Sequence, residues 1–202
     1  MLIDKTAVIQ DNVTLGKNVI VGPYSVLYSG TVLEDNVIIR SHCAIGTAPE
    51  ILSNSSTTNL IIKEGTVVNS FVNINLGSST ETQIGKDCFI MNHSYIAHDC
   101  VIGDRSIVSS GVRVSGHSLI GSESYLGINS SIHQHSKIGD LCVIGANSFA
   151  KGTLQSGLIY VGNPALPIKI NQIGFDRSNH TIDFQKKIID KIRNTYPEFI
   201  AE

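Results

Sequence analysis

The sequence predicts an all-β solenoid, in which short parallel strands wind into stacked coils and a short helical tail follows. Aliphatic residues recur at every sixth position, small residues usually stand two places before them, and glycine often comes directly after. A period of six matches neither the 3.6 of a helix nor the unbroken alternation of a long strand. It fits strands of a few residues separated by bends, with glycine taking backbone angles other residues avoid.

The register starts at Ile9 and steps through Leu15, Val21, Leu27, Leu33, Ile39 and Ile45. It breaks over Gly46 to Leu60 (GTAPEILSNSSTTNL) and resumes at Ile62, Val68 and Ile74. A shorter break, GSSTETQ from Gly77 to Gln83, leads into the longest run, which goes from Ile84 by sixes to Ile144. Long loops on a rigid solenoid are either functional or tolerated insertions, and both readings stand open for these two. Three units of six would close an 18-residue coil, with successive coils about 4.8 Å apart. The aliphatics point inward and stack, and the small residues (Ser94, Ser106, Ser118 and their equivalents) fill the tight corners. All four cysteines, Cys43, Cys88, Cys100 and Cys142, occupy that small inward slot and form no CxxC pair, which predicts inert packing.

The repeat fades at Ala150 and the chain passes through NPALP. TIDFQKKIIDKIRNTYPEF then has a helical pattern, with Thr181 as N-cap, Ile182, Ile188, Ile189 and Ile192 as an apolar stripe, and Pro197 after the last turn. Such a stripe packs on the last coil or on another subunit. The organisation expected is a β-helix domain over 1–160 and a tail with one α-helix over 161–202.

Composition narrows the function classes. Fifteen basic residues against 17 acidic ones give a net charge of −2, so nothing favours nucleic acid or an anionic membrane as partner. The N-terminal MLIDKTAVIQ has no long apolar run, hence no secretory signal or membrane insertion is expected. With unpaired cysteines, a cytoplasmic protein is expected.

The chemistry concentrates in HSYIAHDCVIGD, residues 93 to 104. With an 18-residue coil, position 98 lies above 116 and 134, so His98, His117 and His133 fall along one edge on successive coils. His98 and His117 are then close enough to serve one reacting group, and Asp99 supplies an adjacent carboxylate. His42, His93, His135 and His180 are not expected to extend that edge. Tolerated corner histidines are the bland alternative for any single one.

The segments LIDKTAVI, IMNHSYIAHDCVIG, SGHSLIG, SIHQHSKIG and GNPALPIKINQIGFDR resemble the UDP-N-acetylglucosamine O-acyltransferases of lipid A synthesis, a family of hexapeptide-repeat acyltransferases. The resemblance implies a left-handed parallel β-helix assembled as a homotrimer, with sites formed between subunits. It also implies transfer of an acyl group from an acyl-CoA or acyl carrier protein thioester to a nucleotide-linked sugar, with no permanently bound cofactor. By the same resemblance His98 matches the general base, Asp99 its acidic companion and Gly116 the backbone N–H donor to the tetrahedral oxyanion. His117, His133 and Gln134 match groups lining the sugar and acyl-carrier site, and Asn163 and Arg177 match residues near the carrier and nucleotide. This chemistry is coherent, since a base takes the proton as an N–H stabilises the developing charge.

The departures matter as well. NINLGSST stands where the family carries an HRGT-type motif, the loop from Gly46 to Leu60 offers only Glu50 in place of an acid–lysine pair, and Tyr95 replaces a histidine. The C-terminal helical region is also much shorter. Acyl transfer therefore stands ahead of lipid A synthesis itself, and amine acylation, usually from coenzyme A, stays open beside hydroxyl acylation.

Two other classes compete. His93 and His98 also resemble part of the zinc site of γ-class carbonic anhydrases, but SSTTNLIIK (55–63) lacks the third histidine a catalytic zinc requires, so no metal is expected. A non-catalytic β-helix scaffold is the third reading.

Overall fold

The computed structural model describes residues 1–52 and 57–200. Residues 53–56 of the first register break lie outside the described residues. Strands of two or three residues recur at nearly every repeat and form three sheets of ten, eight and eight strands, parallel except at the closing hairpin, each pairing mostly with the strand one coil away. The first face begins Leu2–Ile3 and Ile20–Val21, the second Val8–Ile9 and Val26–Leu27, the third Thr14–Leu15 and Thr31–Leu33. The chain is a parallel β-solenoid. From Phe89 to Phe149 the register is a uniform 18 residues, with Tyr95 opposite Arg113 and Arg113 opposite Ser131 on the second face, and the last coil is two residues shorter, with Lys137 opposite Thr153.

The period of six has a simple packing cause. Every aliphatic of the long run is buried at 3% exposure or less, so one unbroken column of Ile, Leu and Val fills the prism. The small slot is buried too, and its polar atoms are satisfied in a repeating way. Ser94 Oγ donates to the Ser109 carbonyl, Ser106 to Gly121 and Ser124 to Gly139, each at 2.9 Å. The cysteines do the same with Sγ on backbone carbonyls, and burial pushes the Cys88 thiol up to about 11 and Cys100 and Cys142 up to about 12. Thiols so raised are poor nucleophiles and poor metal ligands.

Most corners between faces use left-handed backbone at a non-glycine residue, and a few use glycine, as at Gly65 and Gly111. Asn12, Asn18, His42, His93, Asp99, His117, Asn129 and His135 all have φ near +60°. Asn, Asp and His are the residues most often found in that conformation. Strain at each corner is offset by the backbone ladder on either side.

The two loops are tighter than the broken register suggests. Strands Ala44–Thr47 and Leu60–Ile62 invade the first, and Thr82–Ile84 invades the second.

The C-terminal end is closed by an antiparallel hairpin, Leu158–Gly162 with Ala165–Ile170, added to the first face. The tail then holds two α-helices, α1 (Gln172–Arg177) and α2 (Ile182–Thr195), and a 3₁₀ turn, Pro197–Phe199, where a single helix was expected. The extra helix is one and a half turns long, too short for a 3.6-residue pattern to register. The Asn171 side chain caps it, accepting from Gly174 N–H at 3.1 Å. Thr181 caps α2 as expected. Ile188 and Ile192 are buried against the last coil, where Gly157 leaves room for Phe175 and Ile188, but Ile182 is exposed and half-buried Phe184 packs in its stead. Among the described residues no helix is long and apolar enough to cross a membrane.

Candidate active site

His98 and Asp99 lie at the corner between the second and third faces, between strands Tyr95–Ile96 and Val101–Ile102. One coil on, His117 occupies the same corner, and His133, Gln134 and His135 the next. The edge drawn from the repeat is therefore present. His93 sits at the other end of the second face, at the corner with the first. There it joins a ladder of rings, Tyr24, His42, Phe71 and His93, stacked at centroid spacings of 5.1, 4.9 and 4.9 Å.

Corner geometry explains some histidines and not others. His42, His93, His117 and His135 occupy left-handed positions that favour the residue type, but His98 and His133 do not. His98 is 9% exposed, and its Nδ1 lies 2.6 Å from Asp99 Oδ2. The Asp99 side chain is wholly buried. Burial opposes its ionisation. The Ser78 hydroxyl, the Thr80 N–H, the His98 ring and the Ser79 N–H outweigh that cost and hold the carboxyl well below the usual carboxylate range.

An ionised carboxylate can only accept, so Nδ1 of His98 donates and a neutral ring carries its lone pair on Nε2. That Nε2 edge abuts Gly116, one coil away. A Cβ at Gly116 would sit 2.9 Å from His98 Nε2 and 2.8 Å from Cε1, so only glycine fits under the ring. Among the described residues the Gly116 N–H makes no hydrogen bond.

His117 stands edge-on to His98, with centroids 5.1 Å apart at 87°, and its Nε2 lies 3.7 Å from Asp99 Oδ2. His135, expected to fall off the edge, instead stacks flat on His117 at 4.7 Å and 4°. The spacing 117 to 135 is one full coil, and that signal was in the sequence; the edge is several residues wide and admits two columns. His133 is exposed on the same corner, its Nδ1 3.0 Å from the Gln134 carbonyl, and its ring meets Phe149 edge-on.

Asn163 and Arg177 are not brought to this corner. Asn163 is exposed in the hairpin turn that extends the first face. Arg177 ends α1 and lines a cleft of about 490 Å³ over Ile107, Tyr125 and Ile159 of that face. Within one chain this is the side of the prism opposite the His98 corner.

His98, Asp99 and His117 also put potential ligand atoms within 4.8 Å of one another. Two donors on one tetrahedral zinc stand roughly 3.4 Å apart given ligand bonds of about 2.1 Å. The 2.6 Å between Nδ1 and Oδ2 is instead a hydrogen bond. The carbonic-anhydrase-like pairing fares no better, because His93 and His98 occupy different corners. Tyr95, at the position of a histidine in the resembling family, donates its hydroxyl to Asn75 Oδ1 at 2.7 Å.

Comparison with known proteins agrees with the repeat. Residues 12–47 and 81–116 match the bacterial transferase hexapeptide (six repeats) family. An acyl-[acyl-carrier-protein]–UDP-N-acetylglucosamine O-acyltransferase of Campylobacter concisus is 27% identical over 96% of this chain and 81% of its own length. One from Herminiimonas arsenicoxydans is 29% identical over 87% of this chain and 76% of its own. The solved structure of LpxA from Acinetobacter baumannii superposes with a TM-score of 0.78, at 26% identity over 96% of this chain and 83% of that one. UDP-N-acetylglucosamine O-acyltransferase from Moraxella catarrhalis gives a TM-score of 0.68 at 28% identity, covering 97% and 82%. By its repeats, and by relatives that match it along nearly its whole length, the chain is similar to the LpxA-like hexapeptide-repeat acyltransferases.

Proposed function

We propose that this protein moves an acyl group from an acyl carrier protein or coenzyme A thioester to a hydroxyl or amine of a nucleotide-linked sugar, with His98 as general base. The relatives are named for acyl carrier protein as donor and UDP-N-acetylglucosamine as acceptor, hence the substrate class. The observation that carries the reading is the geometry at His98: an imidazole oriented by a buried carboxylate, its free nitrogen next to an open backbone amide.

In the reaction, His98 Nε2 accepts the proton of the acceptor as its oxygen or nitrogen bonds to the thioester carbonyl carbon. Asp99 holds the ring and offsets the imidazolium charge. The Gly116 N–H donates to the tetrahedral oxyanion. Collapse breaks the C–S bond, and the proton on His98 passes to the departing sulfur, regenerating base and free thiol. A positioned base contributes about 10²–10⁴-fold, and one oxyanion donor about 10²–10³-fold.

His117, His133 and Gln134 line the acceptor and acyl path along the same corner. Asn163 and Arg177 reach carrier or nucleotide from a neighbouring subunit, which requires the homotrimer; their place on the opposite side of one chain supports this reading. The solenoid is left-handed, residues 1–160 form the catalytic unit, 161–202 the tail, and the enzyme works in the cytoplasm. Lipid A or surface polysaccharide synthesis is the process this chemistry serves.

The test is a thioester-consumption screen with acetyl-CoA and acyl carrier protein thioesters against UDP- and dTDP-sugars, with products identified by mass spectrometry. Acylated sugar from one pair is the expected result. Thiol release without acylated sugar across the whole panel would refute the assignment.

A further inference from the structure

We propose that the two loops interrupting the repeat form one clamp that positions the His98–Asp99 pair, with Ser78 and Thr80 as its positioning residues. This rests on the reading of His98 as base.

The second loop closes around the Asp99 carboxylate. Backbone N–H groups of Ser78, Ser79 and Thr80 donate to Oδ1 at 3.1, 2.9 and 2.7 Å. The Ser79 and Thr80 hydroxyls reach the same oxygen at 3.3 and 3.1 Å, and the Ser78 hydroxyl donates to Oδ2 at 2.6 Å. Thr82 Oγ1 accepts the Asp99 N–H at 2.9 Å. Three successive amides converging on one oxygen make an anion nest, occupied here by the protein's own side chain. Oδ1 is thus committed to the loop, the carboxylate cannot turn, and only Oδ2 faces imidazoles. Those are His98 at 2.6 Å and His117 at 3.7 Å, the titratable groups facing it.

The end of the first loop holds the second in shape. Thr58 N–H donates to the Gly77 carbonyl at 2.9 Å, Thr58 Oγ1 to the Thr80 carbonyl at 2.6 Å, and Thr82 N–H to the Asn59 carbonyl at 3.1 Å. Gly77 permits the fold-back, because a Cβ there would lie 1.6 Å from the Thr80 oxygen. Sequence places these loops more than 15 residues from Asp99, in polar runs that look like solvent-exposed insertions. Folded, they fix which nitrogen of His98 carries the proton.

The Ser78 hydroxyl also fixes Oδ2 in front of Nδ1. With that hydroxyl gone, Oδ2 swings from the ring, the imidazolium loses part of its partner, and the acid limb of the kcat/KM–pH profile moves to lower pH. The experiment uses the full-length protein with Ser78→Ala, Thr80→Val and Thr58→Val. It combines ¹⁵N NMR of the His98 ring, pH–rate profiles and melting temperatures. Wild type should show a single Nδ1–H tautomer. Ser78→Ala should mix the tautomers, lower kcat about 10-fold with KM little changed, and shift the acid limb downward, the loss of one charged hydrogen bond being of that size. Ser78→Thr, which keeps the hydroxyl, should recover both tautomer and limb, and Thr58→Val should act in the same direction as Ser78→Ala but less. Unchanged tautomer and acid limb in Ser78→Ala and Thr80→Val, with any loss of kcat tracking melting temperature alone, would overturn the clamp. The NMR needs no substrate. A wild-type Nδ1–H tautomer that mixes in Ser78→Ala, in a protein inactive toward every donor and acceptor, would reject the acyltransferase reading and leave the clamp standing.

Discussion

Gly116→Ala adds one methyl group and removes no chemical function, yet it should nearly silence the enzyme. The Cβ would lie 2.8 Å from His98 Cε1 and 2.9 Å from Nε2, whereas ordinary contact begins at 3.4 Å. The ring must therefore retreat by about 0.6 Å, or turn out of the 2.6 Å bond to Asp99. Catalytic groups tolerate about 0.5 Å of displacement, and a misplacement near 1 Å costs on the order of 10²-fold. The Gly116 backbone is not in the left-handed region, so alanine itself brings no strain there. Contrast Gly103, where a Cβ would meet backbone atoms of Ser122 and Gly121 at 2.4–2.8 Å and nothing can yield. Gly116→Ala should then lower kcat about 100-fold with a melting temperature within a few degrees of wild type, while Gly103→Ala should melt early. Steady-state acyl transfer, read as thiol release with the donor and acceptor found by screening, checks the first, and thermal denaturation the second. Turnover of Gly116→Ala within about twofold of wild type, in a correctly folded protein, would mean that His98 and Gly116 do not share the reacting centre.

His98→Ala should lower kcat about 10²–10⁴-fold with assembly and melting temperature nearly unchanged, and His93→Ala, at the other corner, should cost far less in the same assay. Chelation should leave turnover intact, since the His98–Asp99 contact is a hydrogen bond; stoichiometric zinc with activity lost to chelator, by elemental analysis and assay, would contradict this. Asp99 is held below the usual carboxylate range, so its stabilising contribution is complete above about pH 4 and is lost as pH falls further through the folded value. Melting curves of wild type and Asp99→Asn should accordingly differ most at neutral pH and converge as the pH drops below about 4. Ile102→Ala, in the middle of the buried column, should cost about 3–4 kcal/mol in chemical denaturation, because a stacked interior has little freedom to collapse into the gap.

The sequence by itself determined the solenoid, its strand spacing and inward faces, the fate of the four cysteines, and the corner on which His98, Gly116 and His117 meet. Each follows from a period of six, a local pattern that successive coils restate, so that within an uninterrupted run a residue can be placed by counting modulo 18. The same counting puts His135 above His117, because the corner is several residues wide and carries two columns. Only the tertiary structure decided what sits outside the repeat: the extra helix α1, the exposure of Ile182, the placement of Arg177 on the far face, and above all the hold of Ser78, Ser79 and Thr80 on Asp99. Those contacts join residues 19 to 21 apart through a loop with no period, made by backbone amides that every sequence possesses and by hydroxyls indistinguishable in composition from solvent-facing ones. Their direction exists only once the glycine turn at Gly77 and the strands on either side have closed.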